Sequence, residues 1–149
     1  GLAVSAAASL INFVVARILI ADGRHVGPIM VAVAWRALGR EQIALVTDAI
    51  APPGTALEGG PDGEGSTLTG GLVPMDQVVR NLVAFAGCSP ADAAHAASAT
   101  PARLLRRPDL GRLAPGCMGD VVLLDADGAV AATLVGGTVV HDPDGRCTR

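Results

Sequence analysis

The stretch Ile43 to Gly54, IALVTDAIAPPG, closes an unbroken apolar run on a carboxylate and continues into a proline-glycine loop. The run Ile43-Ala44-Leu45-Val46 lacks the alternation of a strand with one wet face. It reads as a strand covered on both faces, as in parallel α/β sheets and barrels. In such folds the residue at the C-terminal end of a strand faces the ligand crevice, which makes Asp48 a candidate catalytic carboxylate. A turn residue or a helix cap is the other reading, since Asp favours both positions, and the stretch alone leaves the two open. A second polar cluster, Asp22-Gly23-Arg24-His25, follows the apolar segment ARILIA. The remaining chemically capable side chains are dispersed. Cys88, Cys117 and Cys147 stand far apart in no CxxC pattern, and the histidines form no HxH or His-Glu pair. A cysteine zinc site and a disulfide framework are therefore not expected, and a reducing cytoplasm fits best.

The elements that must position these residues follow from apolar spacing and punctuation. A small-residue helical or loop segment, Ala3 to Leu10, is expected to lead into a buried strand over roughly Val15 to Ala21. Pro28 opens a helix running through Trp35 to Leu38, and Gly39 stops it. After the strand Ile43 to Val46, a Gly-rich loop with Pro52, Pro53 and Pro61 extends from Ala51 to about Val73, a length typical of functional or disordered loops. It contains no Gly-Lys-Ser/Thr, so its glycines do not make a phosphate loop. Pro74 precedes the stripe Met75, Val78, Val79, Leu82, Val83, and Gly87 ends that helix. Ser89-Pro90-Ala91-Asp92 supplies a cap, a first-turn proline and an acidic third position for the next. Thr100-Pro101 starts a short helix carrying Arg103, Leu104 and Leu105. The last third, DVVLLDADG, AVAATLVGG and TVVHD, reads as short antiparallel strands separated by Asp-Gly and Gly-Gly turns.

With 149 residues, half of them hydrophobic, the chain can build one modest domain with a real core. A net charge of −3, no basic stripe, two Phe, one Trp and no Tyr argue against nucleic acid as a partner. The apolar opening, Gly1 to Ala21, has no basic region before it and carries Asn12 and Arg17 inside it, so neither a signal peptide nor a membrane span is expected. A chain that opens on Gly in apolar sequence has the look of an internal piece of a longer protein.

The segments LIADGRHV, IALVTDAIAP, GSTLTGG, MDQVVRNLV, ATPARLL and GRLAPGCMGDVVLLD, in this order over about residues 18 to 137, together resemble the C-terminal part of the N-acetylglucosamine-6-phosphate deacetylases, a family of the amidohydrolase superfamily. The resemblance implies an α/β fold: the last two βα units of a (β/α)8 TIM-like barrel, followed by strands of a small β-sandwich. Residues 1–110 are then the barrel portion with its following helices, and 111–149 the sandwich strands. The family's zinc ligands, a Glu and two His on earlier strands, have no counterpart here. A divalent metal, zinc, is expected in the full-length enzyme with its ligands outside this chain, and a homodimer is the expected assembly.

The same resemblance assigns roles. Asp48 corresponds to the general base toward the zinc-activated water, which later acts as acid to the leaving amine. His25 corresponds to the substrate-binding histidine of an Asp-Gly-x-His motif, a capping or loop-packing histidine being the other reading. Asp22, Gly23 and Arg24 beside it are expected to line the same pocket, although the Arg24 position varies in the family and a solvated Arg is the alternative there. Leu68-Thr69-Gly70 matches a segment that contacts substrate through its backbone, where Gly permits close approach. Gly71 stands where the family usually has Ser, Pro74 replaces a frequent Thr and Cys117 a frequent Lys. Arg103 is expected to tie barrel to sandwich, and His95 and His141 to be packing or surface residues. The activity implied is deacetylation of the sugar phosphate N-acetylglucosamine 6-phosphate to glucosamine 6-phosphate and acetate. Another amidohydrolase activity, dihydroorotase-like or amino-acid deacylase, and a non-catalytic barrel remnant are the alternatives.

Overall fold

The computed structural model of the chain describes residues 17–49 and 73–147. Strand β1 (Arg17–Leu19), helix α1 (Pro28–Leu38) and strand β2 (Ile43–Leu45) form a βαβ unit, with Leu19 opposite Leu45 in a parallel register. Pro28 occupies the first turn of α1, and Gly39 ends it with φ 68° and an N–H donated to the Trp35 carbonyl. All three β2 residues are buried, as the absence of alternation requires. The strands are shorter than the apolar runs. Past Leu45 one further bond, from the Val46 N–H to the Leu19 carbonyl at 3.1 Å, extends the pairing. The Ala21 carbonyl is taken by a side chain, the Asn81 amide, instead of a ladder partner. An apolar run marks burial, but only pairing makes a strand.

Helix α2 (Met75–Ala86) turns Val78 and Leu82 fully inward, and Gly87 closes it in the left-handed conformation. Helix α3 (Pro90–Ala97) is capped by Ser89, whose hydroxyl accepts from the Asp92 N–H at 3.1 Å. Helix α4 (Ala99–Leu104) begins one residue before Thr100, whose buried hydroxyl donates to the Arg40 carbonyl at 2.8 Å. Leu19, Val31, Ile43, Leu45, Val78, Leu82, Ala93 and Ala96 form one core between the parallel strands and α1 to α3. The alanines let α3 approach closely. Arg103 donates to the Glu41 carbonyl, so it ties α4 to the segment entering β2. The expected link from Arg103 to the antiparallel strands is replaced by this one, because the short α4 packs on β2.

Strands β3 (Val121–Leu124), β4 (Val130–Val135) and β5 (Thr138–His141) make an antiparallel sheet in the order β3-β4-β5. Gly136 and Gly137, both at positive φ, form the two-residue turn between β4 and β5. The sheet reaches the helices through Arg80 of α2, which donates to the Gly128 carbonyl at 2.8 Å. Val122, Leu123, Leu124, Val130, Val135 and Val140 are exposed.

Candidate active site

β1 and β2 are parallel neighbours, so the segments leaving their C-terminal ends emerge on the same side of the sheet. One is Asp22-Gly23-Arg24-His25, the other Thr47-Asp48. The first folds as a tight turn around the Asp22 carboxylate. Its Oδ1 accepts from the N–H groups of Arg24 and His25, both at 2.9 Å, and its Oδ2 lies 2.6 Å from the His25 Nδ1. Gly23 supplies the positive φ of 79° that the turn needs, with the Phe85 ring packed beneath it. The Asp22 side chain is 2% exposed and that of His25 18%.

Burial pushes the Asp22 carboxyl up, but the His25 hydrogen bond and the two backbone donors together hold it below its ordinary value of 3.8. An ionised carboxylate only accepts, so the proton between the two side chains sits on Nδ1. That fixes the ring's tautomer and plane and leaves Nε2 as its remaining polar atom. A carboxylate orienting an imidazole in this way prepares the outer nitrogen for substrate or for proton exchange.

Asp48 is exposed and adopts φ 50°, a left-handed conformation that Asp tolerates better than most residues. The Ala49 N–H donates to the Thr47 hydroxyl at 3.3 Å and braces the same bend. A non-glycine residue held at positive φ at a strand end is a recurrent feature of functional sites. Arg24 is exposed at the tip of its turn. Leu68, Thr69 and Gly70 lie outside the described residues.

Among the described residues, no three His, Cys, Asp or Glu side chains gather into a group able to hold a metal ion. The donor set for a divalent metal is therefore not found in the described part of this chain. His95 contacts the Glu41 carboxylate at 3.3 Å, and His141 is exposed on β5. Burial pushes the Cys88 thiol up, the opposite of an activated thiolate. Among the described residues, two cavities lie away from the C-terminal ends of β1 and β2. One of about 440 Å³ runs between α2, α3 and the antiparallel sheet, and one of about 300 Å³ is lined by Arg103, Arg106, Arg107 and Arg112 at the end of α4.

The polar side of α2 holds residues that apolar spacing could not single out. Asp76 and Gln77 both bind Arg80, Gln77 binds Asn81, and Asn81 reaches the Ala21 carbonyl at the edge of the Asp22 turn. Their signal was present in MDQVVRNLV as polar residues at i, i+3 and i+4, the spacing at which helical side chains meet.

Residues 12–140 match the model of the amidohydrolase family. The chain is 34% identical to the N-acetylgalactosamine-6-phosphate deacetylase of Shewanella sp. (strain ANA-3), over 85% of this chain and 35% of that protein. It is 36% identical to the human N-acetylglucosamine-6-phosphate deacetylase, over 85% of this chain and 34% of that protein. The chain thus spans about a third of the length of these two relatives. The crystal structure of N-acetylglucosamine-6-phosphate deacetylase from Thermotoga maritima superposes with a TM-score of 0.76 at 32% identity, covering 89% of this chain and 41% of that one. The Mycobacterium smegmatis enzyme gives a TM-score of 0.72 at 32% identity, covering 83% and 37%.

Proposed function

The chain belongs to the amidohydrolase family, and from that premise we propose that it carries the general base and the substrate-binding histidine of an N-acetylglucosamine-6-phosphate deacetylase. The observation that carries the reading is the emergence of two polar turns, one with an oriented His25 and one with Asp48, from adjacent parallel strands. Relatives whose names specify deacetylation of hexosamine phosphates support the substrate class. In this reading β1 and β2 are the last two strands of a (β/α)8 barrel, residues 1–110 its C-terminal portion, and 111–149 strands of a β-sandwich. The whole enzyme is a cytoplasmic homodimer.

The reaction breaks the acetamide C–N bond with water. Asp48 takes a proton from the attacking water and returns it to the departing amine, which leaves glucosamine 6-phosphate and acetate. His25, held by Asp22, hydrogen-bonds the substrate through Nε2 and steadies charge developing on the carbonyl oxygen. Gly23 and Arg24 line the same pocket, and Leu68-Thr69-Gly70 offers its backbone to the sugar. Amidohydrolases typically use metals, and zinc is the expected ion. Because no donor group is found among the described residues, this chain's own residues are assigned proton transfer and substrate binding alone.

The test is acetate release by the protein expressed from its full reading frame, with N-acetylglucosamine 6-phosphate and N-acetylgalactosamine 6-phosphate offered side by side. Preference for the first supports the proposal. Preference for the second favours the other epimer, a reading that the Shewanella relative also supports. Release from neither would leave a non-catalytic role or another amidohydrolase reaction.

A further inference from the structure

We propose that Asn81 is a positioning residue for His25, and that it acts through a one-way chain of hydrogen bonds starting at Arg80. The inference rests on the reading of His25 as a substrate-binding group.

The chain has three links, Arg80 to Gln77, Gln77 to Asn81 and Asn81 to Ala21, and Arg80 is held from outside it by Asp76 and the Gly128 carbonyl. Arg80 Nη1 donates to the Gly128 carbonyl at 2.8 Å and to Asp76 Oδ2 at 2.9 Å, and its Nη2 donates to Gln77 Oε1 at 2.8 Å. Gln77 Nε2 donates to Asn81 Oδ1 at 2.8 Å, and Asn81 Nδ2 donates to the Ala21 carbonyl at 2.9 Å. The direction of every link is fixed by the first. A guanidinium has no acceptor, so Gln77 must present its oxygen to Arg80 and its amide nitrogen to Asn81. Asn81 must then receive on its oxygen and give from its nitrogen. The terminal acceptor is a carbonyl with no freedom to donate, so both ends of the chain impose the same sense.

The end point matters for chemistry. Ala21 is fully buried, and its carbonyl belongs to the peptide that enters Asp22. Asp22 in turn fixes the His25 ring through Nδ1. A buried carbonyl needs a partner, and among the described residues no strand supplies one at this position. Asn81 therefore satisfies the backbone at the point where β1 ends and the turn begins. The other end of the chain lies at the Gly128 turn of the antiparallel sheet, where the Arg80 stem packs 3.2 Å from the place a Cβ on Gly128 would occupy. The orientation of His25 is thereby tied to the seating of that sheet.

Two near-isosteric variants of the protein expressed from its full reading frame test this. Asn81→Asp leaves only acceptors facing the Ala21 carbonyl. Gln77→Glu keeps the acceptor for Arg80 but presents a second acceptor to Asn81, which must then turn its amide over and withdraw its donor from Ala21. The second variant places a carboxylate against Arg80, so it keeps the helix stable while breaking the relay. The readout is the 15N and 1H spectrum of the His25 ring, with the split between kcat and KM beside it. The relay predicts a weakened or shifted Nδ1–H signal and a mixed tautomer in both variants, with kcat down by about tenfold, within the range a small misplacement costs, and thermal stability of Gln77→Glu unchanged. An Nδ1–H signal at its parental position in folded Gln77→Glu would overturn the proposal, even if Asn81→Asp fails to fold. Loss of thermal stability with the ring signal unchanged would overturn it too. Absence of deacetylation by the parent would refute the functional reading alone, because the ring spectrum judges the relay without turnover.

Discussion

Asp22 and Asp48 each stand three residues beyond one of a pair of leucines, Leu19 and Leu45, that face each other across β1 and β2. The two carboxylates leave the same rung of the sheet and then diverge in use. Asp22 folds back, is buried and binds His25, whereas Asp48 stays exposed at a left-handed bend. One carboxylate is consumed in holding a neighbour, and the other is open to solvent.

Removing the Asp22 carboxylate should loosen the turn and cost roughly 1–3 kcal/mol, the scale for losing hydrogen bonds to a charged group. Its pKa is depressed in the folded protein. The stability it contributes is thus fully present above the ordinary carboxylate value and is lost as pH falls through the lower, folded value. Thermal melts of the parent and Asp22→Ala against pH should show a gap at neutral pH that closes in acid. A gap that stays constant down to strongly acidic pH would contradict this.

Gly23→Ala should destabilise the same turn by about 1–2 kcal/mol, the penalty for a side chain in the left-handed region. The new Cβ would also sit 3.4 Å from the Phe85 ring, in ordinary contact, so the backbone carries most of the cost. Chemical denaturation of the two proteins measures it.

Helix boundaries were legible because proline and glycine punctuate them chemically. Pro28 and Gly39, and Pro74 and Gly87, bracket α1 and α2 as their spacing implied. Strand lengths were less legible, since among the described residues ARILIA contributes Arg17–Leu19 to the ladder, short of Ile20 and Ala21, and the pairing depends on a partner distant in sequence. The geometry of the candidate site was half legible. The position of Asp48 just past a buried strand could be read from the apolar run before it, but the clamp of Asp22 on His25 and the reach of Asn81 to Ala21 depend on side-chain geometry that residue types alone do not specify. On α2, Gln77, Arg80 and Asn81 look in sequence like a solvated face, and the fold turns that face onto backbone carbonyls.

His25→Ala should lower both substrate affinity and turnover, by a few kcal/mol in kcat/KM. Steady-state kinetics on the protein from its full reading frame checks this. A variant with normal kinetics and a lowered melting temperature would make His25 a packing residue.

The 149 residues expressed alone should self-associate. Ile29 is 79% exposed and Leu113 80% exposed, and the antiparallel strands expose a further set of valines and leucines. Size-exclusion chromatography with light scattering reads the mass directly, and a stable monomer at high concentration would contradict the expectation.

Asp48→Asn is the most direct test of the account. Asn matches Asp in shape and tolerates the left-handed backbone equally well, so the substitution removes the proton-accepting charge and little else. In the protein from its full reading frame, binding of N-acetylglucosamine 6-phosphate should be nearly unchanged and acetate release should fall by roughly 10²-fold or more, the scale for loss of a general base. Turnover within about threefold of the parent, on that same scale, would contradict the assignment of Asp48 and the proposal built on it.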